Sequence, residues 1–178
     1  MLANEIVNAF LDALAKNSDA HVTFGASNPA WTAVATSALV DVARAASDGR
    51  DVRIAARGHR DPYGRSEYNC LDVCAYDNAT WGPPLFIAEH ENANDIERVK
   101  YCAWKLLITE AAHRLLVAYY PPKVGFDGLV KAVREVAEAN GGRDKPRDVL
   151  VIAAPWDAKP ASLEALRSLF RSQIVGKL

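Results

Sequence analysis

The sequence predicts one α/β domain built on a mixed sheet flanked by helices, and three observations predict it. Amphipathic helical stretches alternate with short apolar strand-like runs along the 178 residues. Two of those runs, residues 67–76 (EYNCLDVCAY) and 85–91 (LFIAEHE), are joined by a loop whose Asn, Gly and two prolines cannot continue either strand, as in a hairpin. Two others, residues 114–120 (RLLVAYY) and 148–154 (DVLVIAA), are almost wholly apolar and stop at prolines, the pattern of strands covered on both faces. Strands of both kinds with helices between them make an α/β sandwich.

The elements follow in order. Val7, Phe10, Leu11 and Leu14 recur at helical spacing. A second helix opens at Asn28-Pro29, where Asn28 can cap and Pro29 suits the first turn, and runs through Trp31, Val34, Leu39 and Val42 to the stop at Asp48-Gly49. A short strand over residues 51–56 precedes the hairpin. After it, Asn94 and Glu97 read as a capping box, starting a helix through Val99, Cys102, Ala103 and Leu106 that ends near Ala112. Phe126, Leu129, Val130, Val133 and Val136 mark a further helix closed by Gly141-Gly142. Ser162 caps a last helix with Leu163, Leu166, Leu169 and Phe170 on its buried stripe, and this helix is expected to close the chain.

Half of the residues are hydrophobic and 24% are charged, so one compact core forms without disulfide or metal staples. N-terminal helices (1–48), a hairpin (66–91) and a C-terminal α/β part (94–178) are expected to share it. Lys and Arg number 21 against 22 Asp and Glu, so no global charge announces a nucleic-acid or membrane partner. Cys70, Cys74 and Cys102 fit neither a disulfide framework nor a zinc spacing and read as reduced thiols. Glu5 and Asp12 interrupt the N-terminal stretch, which does not read as a signal peptide, and no run reaches membrane-spanning length. A cytoplasmic protein is expected.

Three carboxylates on the hairpin carry the chemical information. Asp72 falls within an otherwise apolar strand, where an ionised carboxylate costs several kcal/mol unless compensated. Leu85, Ile87, Glu89 and Glu91 share one face of the next strand by the period-2 rule, so that face ends doubly acidic. A hard divalent cation would relieve both problems. Pairing of Asp72 with Arg53 or Arg65, with Glu89 and Glu91 facing solvent, would relieve them equally well.

An acid in one strand, a loop, acid-x-acid in the next strand and then a helix resembles the PD-(D/E)XK nuclease superfamily, in the variant with glutamate replacing the motif lysine. Asp72, Glu89 and Glu91 match its three positions, and the segments EYNCLDV, PLFIAEHEN and WKLL are similar to restriction-endonuclease-like proteins of unknown role that carry an EHEN signature. The resemblance covers about 100 residues. It departs from the superfamily in having no proline before Asp72 and no lysine at position 91.

The resemblance implies a restriction-endonuclease-like sandwich with an αβββαβ core and Mg²⁺- or Mn²⁺-dependent hydrolysis of DNA. The metal would be held by Asp72, Glu89 and the main-chain carbonyl of His90, and Glu91 would orient or deprotonate water. Lys100 and Lys105, on the following helix, are the candidates for a lysine supplied from elsewhere. A catalytically silent member of the same fold, binding protein or nucleic acid, is the alternative. Either could be a homodimer, a state with no signature in the sequence.

Phosphate contact requires cations, and Arg53, Arg57, Arg60 and Arg65 cluster just before the acidic strand, among acids that could neutralise them. Glu67 could join a second ion or cap the sheet edge. The His90 ring, on the face opposite Glu89, is expected to be packed rather than a ligand. His113 is expected at a helix C-terminus, and Tyr101 and Trp104 in the core or an interface.

Overall fold

The computed structural model describes residues 1–25, 28–56, 70–78, 82–140 and 147–176. Over these residues the chain is an α/β protein with one six-stranded mixed sheet flanked by helices. The elements are α1 (Ala3–Ala15), α2 (Ala20–Thr23), α3 (Pro29–Ala46), β1 (Val52–Ala56), β2 (Val73–Asp77), β3 (Phe86–Glu91), α4 (Ile96–Ile108), β4 (His113–Tyr120), α5 (Gly125–Asn140), β5 (Val149–Pro155), α6 (Leu163–Leu169) and β6 (Arg171–Val175).

The strands lie side by side in chain order. β1, β2 and β3 form an antiparallel meander, with Val73 opposite Ala88. β3, β4 and β5 are parallel, with α4 and α5 as the crossovers that parallel neighbours require, and β6 returns antiparallel to β5. α1 and α3 cover one face, where Phe10, Leu14, Trp31 and Leu39 meet Ile54, Val73, Phe86, Ala88, Leu115 and Val117. α4 and α5 cover the other, where Val99, Leu106, Leu129 and Val133 meet Ile87, Leu116, Ala118 and Val151. Full burial of each such side chain is worth about 1.5–3 kcal/mol before entropy is counted. Alternation along β3 sends Phe86 and Ala88 to the α3 side and Ile87 to the α4 side. Glu89 therefore follows Ile87, and His90 follows Ala88.

α3 begins and ends where expected. Asn28 Oδ1 accepts the Ala30 amide at 3.0 Å, and Asp48 (φ 52°) and Gly49 (φ 73°) turn left-handed after its last turn. Other boundaries differ. Asp95, not Asn94, caps α4, its Oδ1 accepting the Glu97 amide at 2.9 Å. α4 also stops at Ile108 instead of near Ala112. The Thr109 hydroxyl donates to the Lys105 carbonyl at 2.8 Å, Arg114 to the carbonyls of Leu106 and Thr109, and Arg147 to that of Leu107. These side chains satisfy the last carbonyls, so the helix has no need of a further turn. His113, expected at the helix terminus, is instead the first residue of β4, opposite Phe86.

β2 starts one residue after Asp72, which lies in a bend behind a left-handed Cys70 (φ 59°) and not inside the strand. The last helix does not close the chain. It ends at Leu169, and β6 fills the open edge of β5. Only Val175 of β6 is buried, which is why no apolar run announced it. The closing glycines of α5 lie outside the described residues. All three cysteines are free, and no helix among the described residues is long and apolar enough to cross a membrane.

A polar chain crosses the α3 face of the core. Trp31 Nε1 donates to the Tyr119 hydroxyl oxygen, which lies 2.9 Å from His90 Nε2, and all three residues are buried. Indole can only donate, so the Tyr119 oxygen accepts from Trp31, and its contact with His90 Nε2 is a hydrogen bond in either tautomer of the ring; His90 Nδ1 is buried without a partner. Tyr119→Phe removes the shared partner of two buried groups and should lower unfolding free energy by roughly 2–4 kcal/mol. Ile152→Val should cost only about 1 kcal/mol. Urea denaturation of both variants checks the contrast, and equal losses would mean the chain contributes no more than packing.

Candidate functional site

The hairpin ladder ends near the Val73–Ala88 pair, and beyond it a side chain takes over. Asp72 Oδ2 accepts the His90 amide at 2.8 Å, standing where a β2 carbonyl would otherwise be. A residue's N–H and C=O face the same neighbouring strand in an antiparallel ladder, so the His90 carbonyl is directed toward Asp72 as well. The half-buried Asp72 and the main chain of His90 thus share one corner of the sheet.

The acid that is deeply buried is Glu89, not Asp72. β3 is paired on both edges and α4 lies over it, which leaves Glu89 only 1% exposed. Lys105 of α4 compensates it. Its Nζ donates to Glu89 Oε2 at 2.7 Å and to the Cys70 carbonyl at 2.9 Å. Glu89 Oε1 is buried with no hydrogen-bond partner. Burial first, and then the Asp72 charge, push the Glu89 carboxyl up to about 7 against the opposing pull of Lys105. Burial alone would lower the Lys105 ammonium, but its hydrogen bond and attraction to Glu89 outweigh that and raise it. Glu89 is therefore a carboxyl poised near neutrality beside a firmly cationic lysine.

Glu91 is turned to a different task. Its Oε1 accepts the Ala93 amide at 2.8 Å, and Cys102 Sγ lies 3.7 Å from Oε2. Glu91 nonetheless lines the same cavity as Asp72 and Glu89. Among the described residues no three His, Cys, Asp or Glu side chains form a metal-holding group. Asp72, the unpartnered oxygen of Glu89 and the His90 carbonyl could supply the kind of sparse, hard-oxygen set that Mg²⁺ takes while retaining most of its waters.

The His90 ring lies on the opposite face, as alternation requires. Burial lowers it to about 4, so it is neutral, and its contribution to the acidic corner is its backbone. Of the two candidate lysines only Lys105 reaches the acids. Lys100 pairs with Glu97 at 3.2 Å and Glu135 at 3.6 Å on the outer surface. Arg53 stands on β1, with its guanidinium 5.7 Å from the centre of the Tyr76 ring, and does not line the acidic cavity. Arg57, Arg60, Arg65 and Glu67 lie outside the described residues.

The cavity holds about 270 Å³ and is lined by Asp72, Glu89, Glu91 and Lys105 together with Thr32, Asn92, Arg98 and Tyr101. Asn92 Nδ2 donates to Thr32 Oγ1 at 2.9 Å, tying the end of β3 to α3. Arg98 escaped the sequence reading, yet a signal for it existed. Arg98, Cys102 and Lys105 follow a 4–3 spacing, which sets them on one face of α4. Tyr101 and Trp104, expected in the core or an interface, are 56% and 38% exposed.

Comparisons with protein-family models, with curated proteins and with solved structures return no match.

Two opposed titrations follow from these burials in metal-free buffer. Glu89, raised from 4.5 to about 7, adds stability that is full below pH 4.5 and lost as pH rises through 7. His90, lowered from 6.5 to about 4, adds stability that is full above pH 6.5 and lost as pH falls through 4. The wild-type profile should be nearly flat between them. Glu89→Gln should expose the His90 limb, its stability relative to wild type rising by about 1–3 kcal/mol from pH 4.5 to 7. Chemical denaturation across that range checks this, and a constant difference would mean Glu89 is ionised throughout.

Proposed function

We propose that the corner formed by Asp72, Glu89 and Lys105 hydrolyses phosphodiester bonds in DNA with Mg²⁺ or Mn²⁺, on a restriction-endonuclease-like variant of the mixed α/β sandwich. One observation carries this: a carboxylate in the bend before β2 and another on β3 meet a part-buried lysine from the next helix, and one carboxylate oxygen there, Glu89 Oε1, has no hydrogen-bond partner. A buried oxygen acceptor without a donor calls for a cation or an ordered water.

Asp72, Glu89 Oε1 and the His90 carbonyl would hold the cation. When bound, it supplies Lewis acidity at the phosphoryl oxygen and makes water a usable nucleophile near neutral pH. The His90 amide fixes the Asp72 carboxylate through a charge-assisted bond. Lys105, anchored on the Cys70 carbonyl, keeps an ammonium beside Glu89 where it can orient the attacking water and offset charge building on the phosphate. This gives Lys105 the duty first ascribed to Glu91. Glu91 positions the turn into α4 through the Ala93 amide. Arg98, exposed at the cavity mouth, meets the substrate backbone, a contact that confers affinity without sequence choice.

The silent alternative has one observation in its favour, since Lys105 already neutralises one Glu89 oxygen at 2.7 Å without any cation. Thermal unfolding during Mn²⁺ titration, together with nicking of supercoiled plasmid, separates the two. Wild type should gain stability with the logarithm of Mn²⁺ excess and nick DNA, while Asp72→Asn and Glu89→Ala lose both responses. Lys105→Ala should retain the Mn²⁺ response and lose at least about 100-fold in nicking rate. No Mn²⁺ response and no nicking by the wild type would reject hydrolysis in favour of the silent fold.

A further inference from the structure

We infer that Tyr101 and Trp104 form a stacking platform for the unpaired bases of single-stranded DNA, delivering its backbone to the Asp72–Glu89–Lys105 corner; the inference rests on the nuclease reading above. α4 has three faces. Val99, Ala103 and Leu106 enter the core, Arg98, Cys102 and Lys105 meet the acidic cavity, and Tyr101, Trp104 and Ile108 are exposed between charged neighbours. Two large aromatics in water on the helix that carries the site's lysine are not explained by the packing of the fold.

Their geometry suits flat ligands. The two rings stack on one another with centroids 5.7 Å apart and planes 24° from parallel, and Lys105 Nζ lies 5.3 Å from the Tyr101 centroid. Tyr101 lines both the acidic cavity and a groove of about 750 Å³ that also holds Trp104, Lys105, Pro83, Pro84 and Ile108. Tyr101 and Lys105 line both the groove and the cavity, so the two are neighbours across these side chains. Every base presents a π-face to such a platform, and the cations of Lys105 and Arg98 stand at the end where the phosphate would sit. A duplex keeps its base faces stacked inside and cannot use the rings, so the platform selects unpaired strands.

Fluorescence anisotropy of labelled oligothymidylate and of a hairpin duplex of equal length, without metal and at fixed salt, tests this. Wild type should bind the single strand more tightly. Trp104→Ala should weaken that binding at least about fivefold, Trp104→Phe should restore most of it, and duplex affinity should not change. Both variants alter an exposed side chain, so unchanged melting temperatures confirm the fold. Equal affinity for the two oligonucleotides, or indifference to Trp104→Ala, overturns the inference. If indifference comes with an altered sedimentation coefficient, the face belongs to a second copy of the chain. Plasmid nicking by the wild type with that indifference leaves the nuclease reading intact. Platform-dependent binding without nicking upholds the platform and rejects hydrolysis.

Discussion

A carboxylate buried in the middle of a sheet constrains everything around it. Glu89 lies on β3, hydrogen-bonded by strands at both edges and roofed by α4, and an ion there is unfavourable unless a countercharge reaches it. Lys105 is that countercharge, and it also donates to the Cys70 carbonyl, so one ammonium joins α4, β3 and the approach to β2. The termination of α4 at Ile108 belongs to the same arrangement. Arg114 and Arg147 satisfy its last carbonyls, fixing the helix end only three residues beyond Lys105.

The opposite face of β3 is held in a different way. His90, Tyr119 and Trp31 form a neutral hydrogen-bonded chain inside an apolar layer, with Phe24 packed edge-on against both Trp31 and Tyr119. Such a chain fixes the register of α3 against β3 and β4, because Trp31 Nε1 and His90 Nε2 both meet the one Tyr119 hydroxyl. Adjacent residues of one strand therefore meet two kinds of environment. Glu89 faces a charged, half-compensated pocket, while the His90 ring faces an apolar core where its Nε2 meets Tyr119.

The proposed chemistry rests on incompleteness. Had Lys105 bonded both Glu89 oxygens, the corner would be a finished salt bridge of structural use. It reaches one, and the other is buried without a partner in a residue that lines a cavity with Asp72, Arg98 and Tyr101. A half-satisfied buried acid with a second acid nearby is costly to maintain for packing alone, which is the ground for the proposed cation.

Much of the fold was legible in the chain. Periodicity located α1, α3, α4, α5, α6 and five of the six strands, because apolar spacing of 3.6 or 2 records which face meets the core. It missed α2, a single turn, and β6, whose residues are mostly exposed and pair with β5 because its edge is open. At the site, the sequence by itself determined that Asp72, Glu89 and Glu91 lie on a hairpin and that Glu89 and His90 face opposite ways. Only the tertiary structure decided which acid is buried, that Glu91 Oε1 accepts the Ala93 amide, and that Lys105 rather than Lys100 reaches the acids. The reason is physical: alternation is a property of the local backbone, whereas burial and ion pairing depend on how α4 lies across the sheet, an angle set by contacts among residues distant in the chain.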